Sequence, residues 1–164
     1  LAKKEEALYH KTFNDVFALR PEELQLGFLK LLRGTGLRIR AADFGYVYMD
    51  EPPYEILSNN VLRFDDIVRI KRVEDMLEKY WNAHRMDRTI LYLIEHEFAS
   101  AFDFFQEFGD YWEKQQWSRI GHQLEDLFKR LEQFLLARKT KTPLSFIRGL
   151  MMIDFFEKDR KSVV

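Results

Sequence analysis

The chain has 164 residues, 46% of them hydrophobic and 15% aromatic, and a net charge of −1 from 26 basic and 27 acidic side chains. That length supports one well-packed domain, and the apolar content excludes a disordered tail. The charge balance gives no reason to expect nucleic acid or an anionic membrane as partner, and the absence of cysteine excludes disulfides, a thiol nucleophile and thiolate-held iron–sulfur clusters.

Residues 3–19 carry a loose helical stripe through Ala7, Leu8, Phe13, Val16 and Phe17, which Pro21 ends. The opening residues lack the apolar core of a signal peptide, no run of about 18 apolar residues predicts a membrane span, and the expected location is the cytoplasm. The chain opens without Met in a helical pattern and reads as a piece of a longer protein. Residues 24–29 alternate at Leu24, Leu26 and Phe28, then Leu29, Leu31 and Leu32 follow at helical spacing, which predicts a strand running into a turn of helix. Gly34-Thr35-Gly36 breaks it, residues 37–44 predict a short helix stopped by Gly45, and residues 46–49 a short aromatic strand closed by Asp50-Glu51-Pro52-Pro53.

From Leu62 onward the spacing predicts four long helices. The first runs from Phe64 to Trp81, with Asp65 and Asp66 where the helix dipole favours them. The second starts at Asp87 or Thr89 and ends near Gly109. The third is capped by Ser118 and carried to Phe134, where a basic run ends it. The fourth covers residues 144–156, with Thr142 as cap and Pro143 in the first turn, and residues 158–164 are expected to fray. The fold class is therefore mainly α, a bundle or array of about four long helices with one or two short strands in the first third. The boundary falls near residue 60, dividing segment 1–60 from a helical segment 61–164.

Chemistry-bearing patterns are sparse. His10, His84, His96 and His122 are scattered and form no HExxH pair, so no metal ligand set is assigned. The carboxylate pairs Asp65-Asp66, Glu74-Asp75 and Glu125-Asp126 diverge by about 100° on a helix and read as solvated charge. Asp154, among Met151, Met152, Ile153, Phe155 and Phe156, would need a partner if buried, and is read as the polar side of a helix with a wide apolar stripe. Phe98, Phe102, Phe104, Phe105 and Phe108 read as core, with Tyr111, Trp112 and Trp117 beside them. Gly34-Thr35-Gly36 can present backbone N–H groups to an anion but is not a phosphate loop.

Taken together, the stretch LRPEELQLGFLKLLRGTGLR and the adjoining FGYVYMDEPPYEILSNNVLRFDDIVRIKRVEDMLEKYWN resemble the end of the catalytic barrel, and the segment after that barrel, in radical S-adenosylmethionine proteins with a cobalamin-binding domain. Members of that group are often labelled magnesium-protoporphyrin IX monomethyl ester oxidative cyclases. The likeness covers roughly residues 12–83. One departure is Arg63, where relatives tend to have Ser ahead of the Asp-rich helix. The resemblance implies that segment 1–60 is the end of the barrel and segment 61–164 the helical domain after it. It further implies that the parent protein uses a 4Fe-4S cluster, S-adenosylmethionine and cobalamin. The cluster's cysteines and the cobalamin module would lie upstream, so the fragment itself carries no catalytic residue and no cofactor. By the same analogy Gln25, Lys30, Gly34 and Thr35, with Gly27, would sit near the barrel mouth and could line a cofactor or substrate pocket. The expected partner is the remainder of the parent chain, barrel and cobalamin domain. The alternative is a stand-alone helical interaction module.

Overall fold

A computed structural model describes residues 2–161 of the chain. It is mainly helical: α1 (Ala2–Ala18), a four-residue α2 (Gly36–Ile39), two short strands β1 (Val47–Tyr48) and β2 (Ile56–Ser58), then α3 (Phe64–Leu77), α4 (Asp87–His96), α5 (Ala101–Lys114), α6 (Leu124–Arg138) and α7 (Leu144–Lys161).

The aromatic α5 lies at the centre. Phe102, Phe104, Phe105, Phe108 and Trp112 are all buried, joined by Phe13 and Phe17 of α1, Tyr80 and Trp81 after α3, and Phe134 of α6. Edge-to-face and offset pairs fill the space, such as Phe104 on Phe105 at 5.0 Å and Phe108 on Phe134 at 4.6 Å, and each adds to the gain from apolar burial. The phenylalanines expected in the core are there.

Against α5 packs α3, and the two come close because Gly109 has no side chain. A Cβ at that position would lie 2.9 Å from Arg72 Cβ and 3.1 Å from Arg72 O. Beside the crossing, Asp110 accepts from Arg69 at 3.2 Å and from Arg72 at 3.0 Å, and buried Gln106 donates to Arg69 O. Helix α3 begins at Phe64 with Arg63 at its N-cap, where Asp66 reaches back to accept from Arg63 N at 2.9 Å. It ends in a π turn (Glu78–Asn82) that aims three consecutive side chains at different neighbours. Tyr80 donates to Leu127 O of α6, Trp81 donates to Pro21 O, and Asn82 exchanges two bonds with the backbone of Leu24.

The first third forms a small head on α3. Strands β1 and β2 pair antiparallel with one residue bulged, and Lys30 bridges Glu55 while Leu31 N donates to Tyr54 O and Ile56 N to Leu29 O. A second small core gathers Leu31, Ala41, Ile56 and, from α3, Ile67. Arg38 pins it by donating to Leu31 O and Asp50 with its guanidinium over Tyr48 and Tyr54. Gly45 takes φ of +60°, ending the 3-10 turn Ala41–Phe44 as the expected stop.

Five helices, rather than four, follow residue 62. The single helix expected from Asp87 or Thr89 to Gly109 is two, because Ser100 caps a new start by accepting from Asp103 N at 3.1 Å, and Glu97 turns to bind another loop. Ser118 does not cap α6. It lies in a 3-10 turn with its hydroxyl on Glu113, while α6 starts six residues later with Asp126 accepting from Gln123 N. Leu31 and Leu32 are not helical, since Leu31 is paired to Tyr54, and β2 was not expected at all. The fraying expected from residue 158 does not occur as far as Lys161, and residues 162–164 lie outside the described part.

Gly109→Ala tests the α3–α5 crossing. A Gly→Ala change inside a helix normally stabilises by about 1 kcal/mol. Here the methyl group meets the Arg72 backbone, and the expected result is a loss of about 1–3 kcal/mol in urea denaturation.

Candidate functional site: the seam between α4 and α7

A polar cleft opens where α4 begins, between it and the second half of α7. Its volume is about 720 Å³, and Glu22, His84, Arg85, Asp87, Arg88 and Lys158 are among its lining residues. Local sequence explains the start of α4. His84, with φ of +49°, reverses the chain after the π turn, and buried Met86 takes the N-cap position without a side-chain acceptor. The leading N–H groups of α4 must therefore find partners elsewhere.

Asp154 of α7 supplies them. Only 7% exposed, its carboxylate accepts from Arg88 N at 3.2 Å, from Thr89 N at 3.0 Å and from the Thr89 hydroxyl at 2.7 Å. Asp154 is thus not on the outward polar side expected from the sequence. It points inward, and its partners are the amides and the hydroxyl at another helix's N-terminus, where the dipole also favours a negative charge. One turn on, Glu157 takes the Arg88 guanidinium in a bidentate pair at 3.0 and 2.7 Å, and Lys158 donates to Ala83 O at 2.8 Å. Burial, with help from Arg85, pushes the Lys158 ammonium below its ordinary pKa, against a smaller opposing pull from Asp87. His84 Nδ1 sits 2.8 Å from Asp87 Oδ2, while Asp87 Oδ1 is buried without a hydrogen-bond partner.

The other end of the seam is also clamped. Glu97, just past α4, accepts from Lys141 N at 3.1 Å, Thr142 N at 2.7 Å and the Thr142 hydroxyl, and Tyr92 OH lies 3.2 Å from that hydroxyl. Helix α7 begins at Leu144, so Thr142 stands one residue ahead of the N-cap position expected for it and donates its hydroxyl to Glu97. Partial burial would raise the Glu97 carboxyl, but those bonds and nearby Arg138 outweigh it and hold its pKa below the ordinary 4.5. Helices α4 and α7 thus run antiparallel with one carboxylate-to-amide clamp at each end.

The residues assigned by analogy have local roles in the head. Gln25 is exposed and donates to Glu23; Lys30 is exposed and paired through its backbone to Glu55. Gly34 takes φ of +81° in the turn, and Thr35 caps α2 by accepting from Arg38 N at 3.4 Å. Gly27 is exposed. Among the histidines, His10 stacks on Phe102 at 3.9 Å, His96 is exposed on α4, and His122 lies near Trp112. Among the described residues no group of three or more His, Asp or Glu is placed to hold a metal ion, and no helix is long and apolar enough to cross a membrane.

Sequence reasoning missed Arg130, nine-tenths buried with its guanidinium 4.8 Å over Trp112 and 5.3 Å over Trp117. It also missed the Glu97 clamp. An acid followed by Phe98 carries no periodic signal, and its partners lie more than forty residues on. The acid within an apolar run at Asp154 was the one legible sign of the seam.

A family model described as a protein of unknown function (DUF4080) matches residues 42–164. No curated protein and no solved structure matches the chain.

Two variants test the clamps. Asp154→Ala strands the Thr89 hydroxyl and two amides, and should lower stability by about 2–4 kcal/mol in thermal or urea denaturation, with Asp154→Asn losing less. For Glu97 the folded pKa is depressed, so its contribution is full above the unfolded value near 4.5 and is lost as pH falls through the folded one. The stability difference between the parent chain and Glu97→Gln should be about 1 kcal/mol at pH 7 and vanish in acid below that window.

Proposed function

The chain belongs to the DUF4080 family of proteins of unknown function, and on that premise we propose that it is the C-terminal helical region of a cobalamin-dependent radical S-adenosylmethionine enzyme. In this reading the region is non-catalytic and caps the barrel or shapes its substrate pocket through the head. The sequence likeness over residues 12–83 supports it, and one structural observation carries it furthest. Large apolar side chains of the first third stand in water: Leu19 and Ile39 are about four-fifths exposed at 80% and 79%, and Leu32, Val47 and Met49 are also exposed. Further structure packed on the first third would cover them.

The extended segment before Lys30 agrees with this. Leu24, Leu26 and Phe28 turn inward, while Glu23, Gln25, Gly27 and Leu29 face out, the two-residue period of a strand with one covered face. Further structure beside that segment would give it a ladder partner. With no cysteine in the chain, these residues do not fit an iron–sulfur cluster, and its thiolates would come from elsewhere in the parent. No chemical step is assigned to this region.

The test is made on the natural full-length protein purified without oxygen, by visible absorption with iron and cobalt analysis. Cluster and corrinoid absorption with stoichiometric metal is the expected result. A colourless, metal-free protein overturns the reading.

A further inference from the structure

We propose that the outer face of α7 is a homodimer interface, with a second copy of this chain packed antiparallel across a two-fold axis. The inference is independent of the enzyme reading.

At about 100° per residue, one side of α7 carries Ile147, Met151 and Asp154, all buried against the bundle. The opposite side exposes Phe146, Met152, Ile153, Phe155 and Phe156, between 43% and 59% accessible. The single charge on that side between residues 145 and 156 is Arg148, and Glu132 of α6 holds it in a bidentate pair. A surface helix normally turns a charged face to water, and one apolar all round is covered on both sides. Next to this face runs an apolar groove of about 430 Å³ between α6 and α7, floored by Phe128, Met151, Met152, Phe155 and Phe156.

Shape and charge select the occupant. Ser145, Gly149, Met152 and Phe156 fall in one row along the exposed side, two small residues followed by two large ones. An antiparallel copy centred between Gly149 and Met152 sets Phe156 over the second copy's Ser145, and Met152 over its Gly149. The space above Gly149 is open, with no atom within 4 Å of where a Cβ would stand. A glycine inside a helix costs about 1 kcal/mol relative to alanine, which close approach of a second helix offsets. The groove's rim is mixed in sign, with Glu125 and Lys129 on α6 beside the mated Glu132 and Arg148. Such a rim complements its own image and attracts no strongly charged partner. Residues 145–156 span only about 18 Å of helix, so the contact is at the small end of specific interfaces and the dimer is reversible at micromolar concentration.

Sedimentation equilibrium of the 164-residue chain from about 1 to 200 µM tests this. The expected mass rises with concentration towards twice 19.9 kDa, and Met152→Glu or Phe156→Glu, both at exposed positions, abolishes the rise with unchanged helical circular dichroism and melting. Because the chain lacks cysteine, register is read by mild oxidation of mixed Gly149→Cys and Met152→Cys single variants. The mixed disulfide should form at least several-fold faster than either homodimer. A chain that stays monomeric throughout, or that dimerises undiminished with Met152→Glu and Phe156→Glu, overturns the proposal. Homodimer cross-links that dominate the mixture overturn it as well.

Discussion

The close approach of α3 and α5 sets the rest of the architecture. It depends on one missing side chain at Gly109, which lets the backbone of Arg72 lie where a methyl group would be. With that contact made, α5 is enclosed deeply enough to bury Phe104, Phe105 and Phe108 completely, and the other helices arrange themselves around those rings. Arg69, Arg72 and Asp110 hold the crossing from the wet side. Their ion pairs are half exposed and worth little as energy; they favour one register over its neighbours.

The π turn at the end of α3 transmits that placement outwards. One additional residue in the helical turn rotates Tyr80, Trp81 and Asn82 onto separate partners, so α6 and the extended segment after Pro21 are both referred to the same helix end. Burial raises the Tyr80 phenol well above its ordinary pKa, with nearby Arg130 and Arg85 opposing the shift. The group therefore stays a neutral donor to Leu127 O. The head is held on α3 by Ile67 in its small core and by Lys71, which pairs with Glu55 and lies over the Phe28 ring.

Helix α7 is held differently, by polar clamps at the two ends of α4 with Ile147 and Met151 buried along its length. Asp154 acts as a cap supplied by another helix, and Glu97 ties the loop ahead of α7 to the end of α4. Directional bonds of this kind define where α7 lies and which side faces in. That orientation is what presents Met152 and Phe156 to solvent while Ile147 and Met151 are buried, and it turns a helix with no strongly polar side into a candidate contact surface.

Periodicity and punctuation determined much of this protein from the sequence alone. The mainly helical class, the Gly45 stop and the first turn of α3 rest on interactions within a few residues, which local spacing encodes, and residue type marked the aromatic α5 and the short β1 strand. Tertiary structure decided the remainder. The break at Glu97–Ser100 needed a loop some forty residues away, and β2 formed where β1 pairs with it and Leu29 O accepts from Ile56 N. Asp154 is the clearest case. Its burial was conditional on a partner, and the partner was a set of amides on a helix about 65 residues earlier, a donor that every sequence contains and no sequence pattern marks.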